Sequence, residues 1–390
     1  MKYNFDAIID RKNTHSIKYD FAEERGKPDG VLPLWVADMD FPAPPAVIEA
    51  LVQKSRHGIF GYSEMKADYF KTLQTWFKQR FDWEVRPEWL VKTPGVVFAF
   101  SIAIRALTEK NDAVLIQPPV YYPFSESVLV NERRLVTNQL IYAQGKYTID
   151  FADFEQKIIE NKVKLFLLCS PHNPVGRVWR KEELIRMGEI CLKHGVKVIS
   201  DEIHEDFVYP GYRHFVFANL KPEFAEITAT CTAPSKTFNL AGLHVSNAFI
   251  ANASIRAKFS AEISRCGLSQ LNIMGLIASQ AAYAHGGEWL EELKRYLNGN
   301  LNFLRDFLQR KIPQIQLVEP EGTYLAWLDC NALGLNDTEL DDLMENRAGL
   351  WLDTGLMFGA GGAGFQRVNI ACPREVLEKA LTQLEQAIKS

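Results

Sequence analysis

The stretch VKLFLLCSPHNPVG (residues 163–176), continued by RVWRKEELIRMGEICLKHG (177–195) and VKVISDEIH (196–204), decides the fold. Two short apolar runs, 163–169 and 196–200, flank a segment whose apolar residues recur at helical spacing over 181–194. Strands buried on both faces lose the polar alternation of a half-exposed sheet, and a strand–helix–strand order points to a parallel crossover. Working outward, similar runs recur at 113–117, 134–140, 227–232 and 246–250. The pattern predicts an α/β domain with a largely parallel sheet covered by helices on both faces. Ligands of such sheets bind beyond the carboxyl ends of the strands, so the residues that follow each run are the ones to read for chemistry.

Four segments stand there: PPVYYPF (118–124), SPHNPVG (170–176), DEIH (201–204) and APSKTFNLAGL (233–243). Together they offer two tyrosines, an amide, a carboxylate with an imidazole, and a lysine beside a serine. These are the groups that pyridoxal 5'-phosphate requires. Its aldehyde needs an amine, and Lys236 can form the Schiff base. Its pyridine nitrogen must stay protonated, and Asp201 is the carboxylate placed to favour that charge. Asn173 can donate to the ring's phenolic oxygen, and Tyr121 can stack on the ring. The segment 93–107 is a glycine turn opening a helix, so Gly95, Val96 and Val97 offer backbone N–H groups to the phosphate. Ser235 adds a hydroxyl. Taken singly each residue has a plainer reading: a surface lysine, a helix cap for Asp201, a turn former for Asn173. The ordered set is what carries the chemistry.

Here a resemblance enters. NPVG, SDEIH, SKTFNLAGL and RVNIA (367–371), in that order, resemble the signature of the fold-type I aminotransferase superfamily. LPLWVADMDFPAPP (32–45), FGYSE (60–64), QPPVYYPF (117–124), SPHNPVGRVW (170–179) and SDEIHEDF (200–207) resemble its MalY/PatB cystathionine β-lyase branch, the cystalysin-like C–S lyases. The resemblance implies a large domain with a seven-stranded, mostly parallel sheet and a smaller α+β domain. It implies a homodimer with shared sites, in which Tyr62 of the partner subunit reaches the phosphate. Arg367 would hold the substrate carboxylate, which suits a bidentate guanidinium. Tyr122 would be a second active-site tyrosine, and His204 would touch the cofactor where many relatives carry a tyrosine. His244 stands where many aminotransferases place a phosphate-binding arginine, and it is left unassigned. The implied reaction is α,β-elimination from L-cystathionine or an L-cysteine-type substrate to a thiol, pyruvate and ammonia. Transamination with a 2-oxo acid is the alternative, since both reactions begin with loss of the α-proton to Lys236. A protein of this branch restrains a transcription activator, but no segment here marks a surface for that role.

The remaining expectations are broader. At 390 residues the chain exceeds one ordinary core. Residues 1–45 read as an arm that packs with a small domain, 46–285 as the large domain and 286–390 as the small one. Helical pattern is expected from about 46 to 81, over 287–311 and over 373–389. A net charge of −4 with 24% charged residues marks neither nucleic acid nor an anionic membrane as partner. The amino-terminal residues lack a signal-like apolar core and no run reaches membrane-span length, so the cytoplasm is expected. The six cysteines show no CxxC pair and none lies at metal-ligand spacing from a histidine; free thiols and no metal are expected. No GxGxxG follows a strand, which argues against a dinucleotide-binding dehydrogenase.

Overall fold

The computed structural model describes residues 2–390. Seven strands form the central sheet: β1 (Leu90–Thr93), β2 (Ala113–Ile116), β3 (Arg134–Thr137), β4 (Leu165–Cys169), β5 (Lys197–Asp201), β6 (Thr228–Thr232) and β7 (Ser246–Phe249). Their order is β1-β7-β6-β5-β4-β2-β3. Only β7 runs against its neighbours; β4, β5 and β6 are parallel, with Leu165 facing Lys197 and Val198 facing Thr228. The expected strands appear at their places, trimmed by a few residues. β1 is an addition, since its four residues LVKT show no alternation and pair with residues 246–249, far away in sequence.

Every residue of β2, β4, β6 and β7 is buried. Helices Phe151–Asn161 and Lys181–Lys193 cover one face, and Val96–Leu107, Pro123–Val130 and Ala253–Arg265 cover the other. The helix Val96–Leu107 reads VVFAFSIAIRAL, carries one charge, and buries six of its residues against the sheet. An apolar helix of that kind is stable only inside a core.

The pattern over 46–81 resolves into two helices, Pro45–His57 and Ala67–Phe81. Gly58 ends the first in the left-handed conformation (φ 75°), and residues 58–66 run irregular between them. The left-handed cap is what interrupts an otherwise continuous apolar periodicity.

Beyond the sheet, the helix Gly287–Lys311 leads to a four-stranded antiparallel sheet made of β8 (Gln316–Val318), β9 (Leu325–Asp329), β10 (Asp353–Thr354) and β11 (Phe365–Asn369), ordered β8-β9-β11-β10. The final helix is Arg374–Lys389. The amino-terminal segment is tied to this part: Leu32–Pro33 pairs in parallel with Leu350–Trp351, and the Asn369 side chain donates to the carbonyls of Val36 and Asp38. One apolar cluster includes Phe5, Phe41, Phe77, Tyr283, Leu293, Leu328 and Leu377, so the core is continuous across residue 285.

Candidate active site

Because β4, β5 and β6 are parallel, their carboxyl ends share one edge. Asp201 ends β5, Asn173 lies four residues past β4, and Lys236 sits in the short helical turn Pro234–Thr237 after β6. Tyr121 and Tyr122 follow β2, and the helix after β1 points its first turn at the same edge. These segments form a cleft, open to solvent, lined by Val96, Val97, Tyr121, Tyr122, Asn173, Asp201, His204, Ser235, Lys236 and Arg367. All are residues read from the sequence. Gly95 opens the helix and holds φ 136°, ψ 156°, while its own N–H donates to Ser246 Oγ (3.0 Å).

Tyr62 is not among them. It lies in the irregular segment 58–66 and is 100% exposed. His244 is also exposed and outside the cleft.

Lys236 reaches from its turn to donate to the carbonyl of Ala37 (2.8 Å). The same carbonyl accepts from Tyr324 Oη (3.0 Å). Asn239, held at φ 58°, accepts from the Met39 N–H (2.9 Å) and donates to the carbonyls of Met39 and Phe41 (2.9 Å each). The VADMD segment is thereby sewn onto the lysine turn. Its two carboxylates pair with cations of the amino-terminal segment: Asp40 with Lys18 (2.8 Å) and Arg11 (2.6 Å), and Asp38 with Arg11 (2.6 Å). Loss of water around the amine lowers the Lys236 pKa to about 8; Asp38 and Asp201 oppose that shift and Arg367 adds to it.

Asp201 is 4% exposed, and burial raises its carboxyl to about 7. The Ile203 N–H (3.2 Å) and the Lys236 charge partly offset that shift, whereas Glu202 adds to it. A carboxylate in this state gains from any cation placed against it. Behind it Glu202, Glu205 and His214 converge within 4.8 Å. Glu202 already accepts from Ser200 Oγ (2.7 Å) and the Phe217 N–H (3.1 Å) and contacts His214 Nε2 (2.7 Å), whereas Glu205 Oε2 has no partner.

Arg367 on β11 is buried. Cross-strand register sets it opposite Asp353 of β10, and the two side chains form an ion pair. Its other contacts are Asn173 Oδ1 (2.9 Å) and the Trp35 carbonyl (3.0 Å), and its Nε has no partner. Because Asn173 accepts through Oδ1, its amide N–H₂ is left to donate into the cleft. His204 lies edge-on to Tyr324 (5.9 Å between centroids). Burial, with help from the Lys236 and Arg367 charges, lowers it to about 3, so the ring is neutral, and its buried Nδ1 has no partner. Burial also holds the Tyr121 and Tyr122 phenols above their usual range.

Among the wall residues not singled out from the sequence are Trp35, Ala37 and Asp353. The first two sit within LPLWVADMDFPAPP, whose distinctiveness was a signal. Asp353 had none, because its relation to Arg367 exists only through strand pairing.

A cleft with one amine of lowered pKa, one buried carboxylate, an arginine and unpartnered ring and guanidinium nitrogens is equipped to bind a polar, anionic, aromatic ligand. The family model for aminotransferase class I and II matches residues 29–384. Cystathionine beta-lyase PatB of Bacillus subtilis is 44% identical over 385 residues, 99% of this chain and 100% of its own. Cystalysin from Treponema denticola, whose crystal structure contains a pyridoxal 5'-phosphate cofactor, is 38% identical with TM-score 0.96, covering 100% of this chain and 99% of that one. The PLP-bound C-S lyase of Staphylococcus hominis is 34% identical with TM-score 0.93, covering 100% and 98%. The chain belongs to the aminotransferase class I and II family and has the fold of its type I pyridoxal-phosphate members.

Proposed function

We propose that this chain is a pyridoxal-phosphate-dependent carbon–sulfur β-lyase acting on L-cystathionine or L-cysteine-type substrates. The observation that carries it is the joint placement of Lys236, Asp201, Asn173, Tyr121, Tyr122 and Arg367 around one cleft. The donor set fits the cofactor. Lys236 would hold it covalently, and Asp201, whose buried carboxyl gains from a cation, would face the pyridine nitrogen. The free amide of Asn173 and the His204 ring would lie beside the phenolic oxygen, and Tyr121 would stack. The first-turn N–H groups at Val96 and Val97 after Gly95, the Ser235 hydroxyl and Tyr62 of the partner subunit would hold the phosphate. Bound there, the cofactor supplies an aldehyde for the substrate amine and an electron sink next to the α-carbon.

The chain's own residues then divide the work. Arg367 holds the substrate α-carboxylate through its fork, with Asp353 fixing the opposite edge. Lys236, once released by the incoming amine, takes the α-proton; a pKa of about 8 leaves part of it unprotonated and able to act as base near neutrality. Tyr122, kept protonated by burial and by the neighbouring Asp353 charge, gives its proton to the departing sulfur. The freed 2-aminoacrylate hydrolyses to pyruvate and ammonia.

We also divide the chain near residue 285 into large and small domains with residues 1–45 as an arm, and assign the active unit to a homodimer. Six free cysteines suit a reducing compartment, and we place the enzyme in the cytoplasm. Among the described residues no helix is long and apolar enough to cross a membrane. The deciding experiment is pyruvate release from L-cystathionine by purified protein without added 2-oxo acid. Release supports the lyase; turnover that requires 2-oxoglutarate assigns transamination instead.

A further inference from the structure

We propose that Arg25 recognises a carboxylate on the leaving-thiol end of the substrate. It thereby favours S-substituted cysteines that carry such a group, cystathionine among them, over S-alkylcysteines. The inference rests on the lyase reading above and adds the group that reads the distal end of the substrate.

The amino-terminal arm brings several cations near the cleft, and most are committed. Arg11 pairs with Asp38 and Asp40, Lys18 with Asp40, and Lys27 with Glu345. Arg25 makes no ion pair and no side-chain hydrogen bond among the described residues, although Glu23 and Glu24 precede it directly. It is nonetheless held in place: its guanidinium lies over the Trp35 ring, 5.3 Å from the centroid. That ring is itself fixed by stacking on Trp351 (4.3 Å, 12°). A weakly hydrated guanidinium laid on an indole is a pre-positioned cation.

Its position bears on the reaction because Trp35 lines the cleft beside Tyr122 and Asp353. The Arg25 charge acts on the Tyr122 phenol, the group assigned to the sulfur. Arg367, paired with Asp353, is the cation that the lyase reading assigns to the α-carboxylate. Arg25 is therefore an unpaired, exposed cation that does not itself line the cleft but lies on Trp35, a ring of its wall. In cystathionine six bonds separate the α-carbon being deprotonated from the distal carboxylate carbon. At full extension that spans about 7 Å, enough to pass from the reacting centre beyond Tyr122.

The test uses the holoenzyme, its Arg25→Ala and Arg25→Lys variants, and two substrates of similar length, S-(3-carboxypropyl)-L-cysteine, whose carboxylate carbon also stands six bonds from the α-carbon, and S-butyl-L-cysteine. Pyruvate formation gives kcat/KM for each, and cofactor absorbance checks that each variant is loaded. Arg25→Ala should lower the carboxypropyl-to-butyl ratio of kcat/KM by about tenfold or more, mainly through KM of the carboxylated substrate, and Arg25→Lys should restore part of it. An unchanged ratio, or equal losses on both substrates, overturns the assignment of Arg25 while leaving the lyase intact. Wild-type protein that releases no pyruvate from either substrate overturns the lyase reading and this inference with it.

Discussion

Lys236 carries its amine into a pocket that strips water from the ammonium, and that cost brings its pKa from 10.5 to about 8. At pH 7 about 10% of such an amine is neutral, against about 0.03% at the ordinary value. Only the neutral amine condenses with an aldehyde. The rate at which apoenzyme takes up pyridoxal phosphate should therefore rise about tenfold between pH 7 and 9 and then level off. The Asp201 carboxyl, at about 7, is about half ionised at the start of that window and about nine-tenths ionised by pH 8, so the upper part of the rise belongs to Lys236. Stopped-flow absorbance measures it; a rate still climbing at pH 10 contradicts the lowered pKa. Asp201→Ala should keep some cofactor but lose about 100-fold or more in activity, because nothing then holds the ring proton. Arg367→Lys tests geometry at constant charge. An ammonium cannot span Asn173, the Trp35 carbonyl and Asp353 at once, so KM should rise about tenfold or more while cofactor absorbance stays. Lys236, Asp201 and Asn173 were legible because each follows an apolar run at the edge where parallel strands end. Asp353 was not, since no local pattern states that residue 353 will face residue 367.

Elements behave the same way. A strand buried on both faces announces itself, as LFLLC does in β4, because a five-residue apolar run bounded by polar and turn-forming residues is too short for a buried helix. β1 escaped notice because its reason for being extended lies in residues 246–249. The break at 58–66 escaped it because apolar residues continue through a segment that has left the helix, with Ile59 and Phe60 more than half exposed. The helix beginning at Val96 is the element on which phosphate binding depends, and its start depends on Gly95. A φ of 136° with ψ 156° belongs to a region that only glycine occupies freely, and a side chain there costs about 1–3 kcal/mol. Space is not the obstacle, since a Cβ at this position would meet nothing within 4 Å. Gly95→Ala should therefore act through backbone strain that turns the first N–H groups away. The expected result is a cofactor dissociation constant raised about tenfold, read by fluorescence titration, with thermal stability of the apoprotein falling less than that of the holoprotein. Equal losses in both forms would make the glycine purely structural.

At the scale of the whole molecule, one residue read as part of the site stands apart from it. Tyr62 projects fully into solvent from a segment whose neighbours Ile59 and Phe60 are also bare. A monomer gains nothing from three exposed large apolar side chains in sequence, whereas a twofold interface would bury them and carry Tyr62 into the other subunit's cleft. Subunit mixing separates that arrangement from a self-sufficient monomer. Lys236→Ala and Tyr62→Ala proteins are each expected to be strongly impaired. In a hybrid dimer both lesions fall in one site, while the other combines Lys236 from one subunit with Tyr62 of the partner subunit and is intact. Equal amounts, exchanged to a statistical mixture, make half of the dimers hybrids with one working site each. Activity should therefore recover to about a quarter of wild type above the mean of the two homodimers. The recovery should appear only under conditions that let subunits exchange, and sedimentation should show dimers throughout. Absence of recovery with dimers present would place each cleft wholly within its own chain and remove Tyr62 from the phosphate. Sedimentation as a monomer with full activity would remove the shared site altogether.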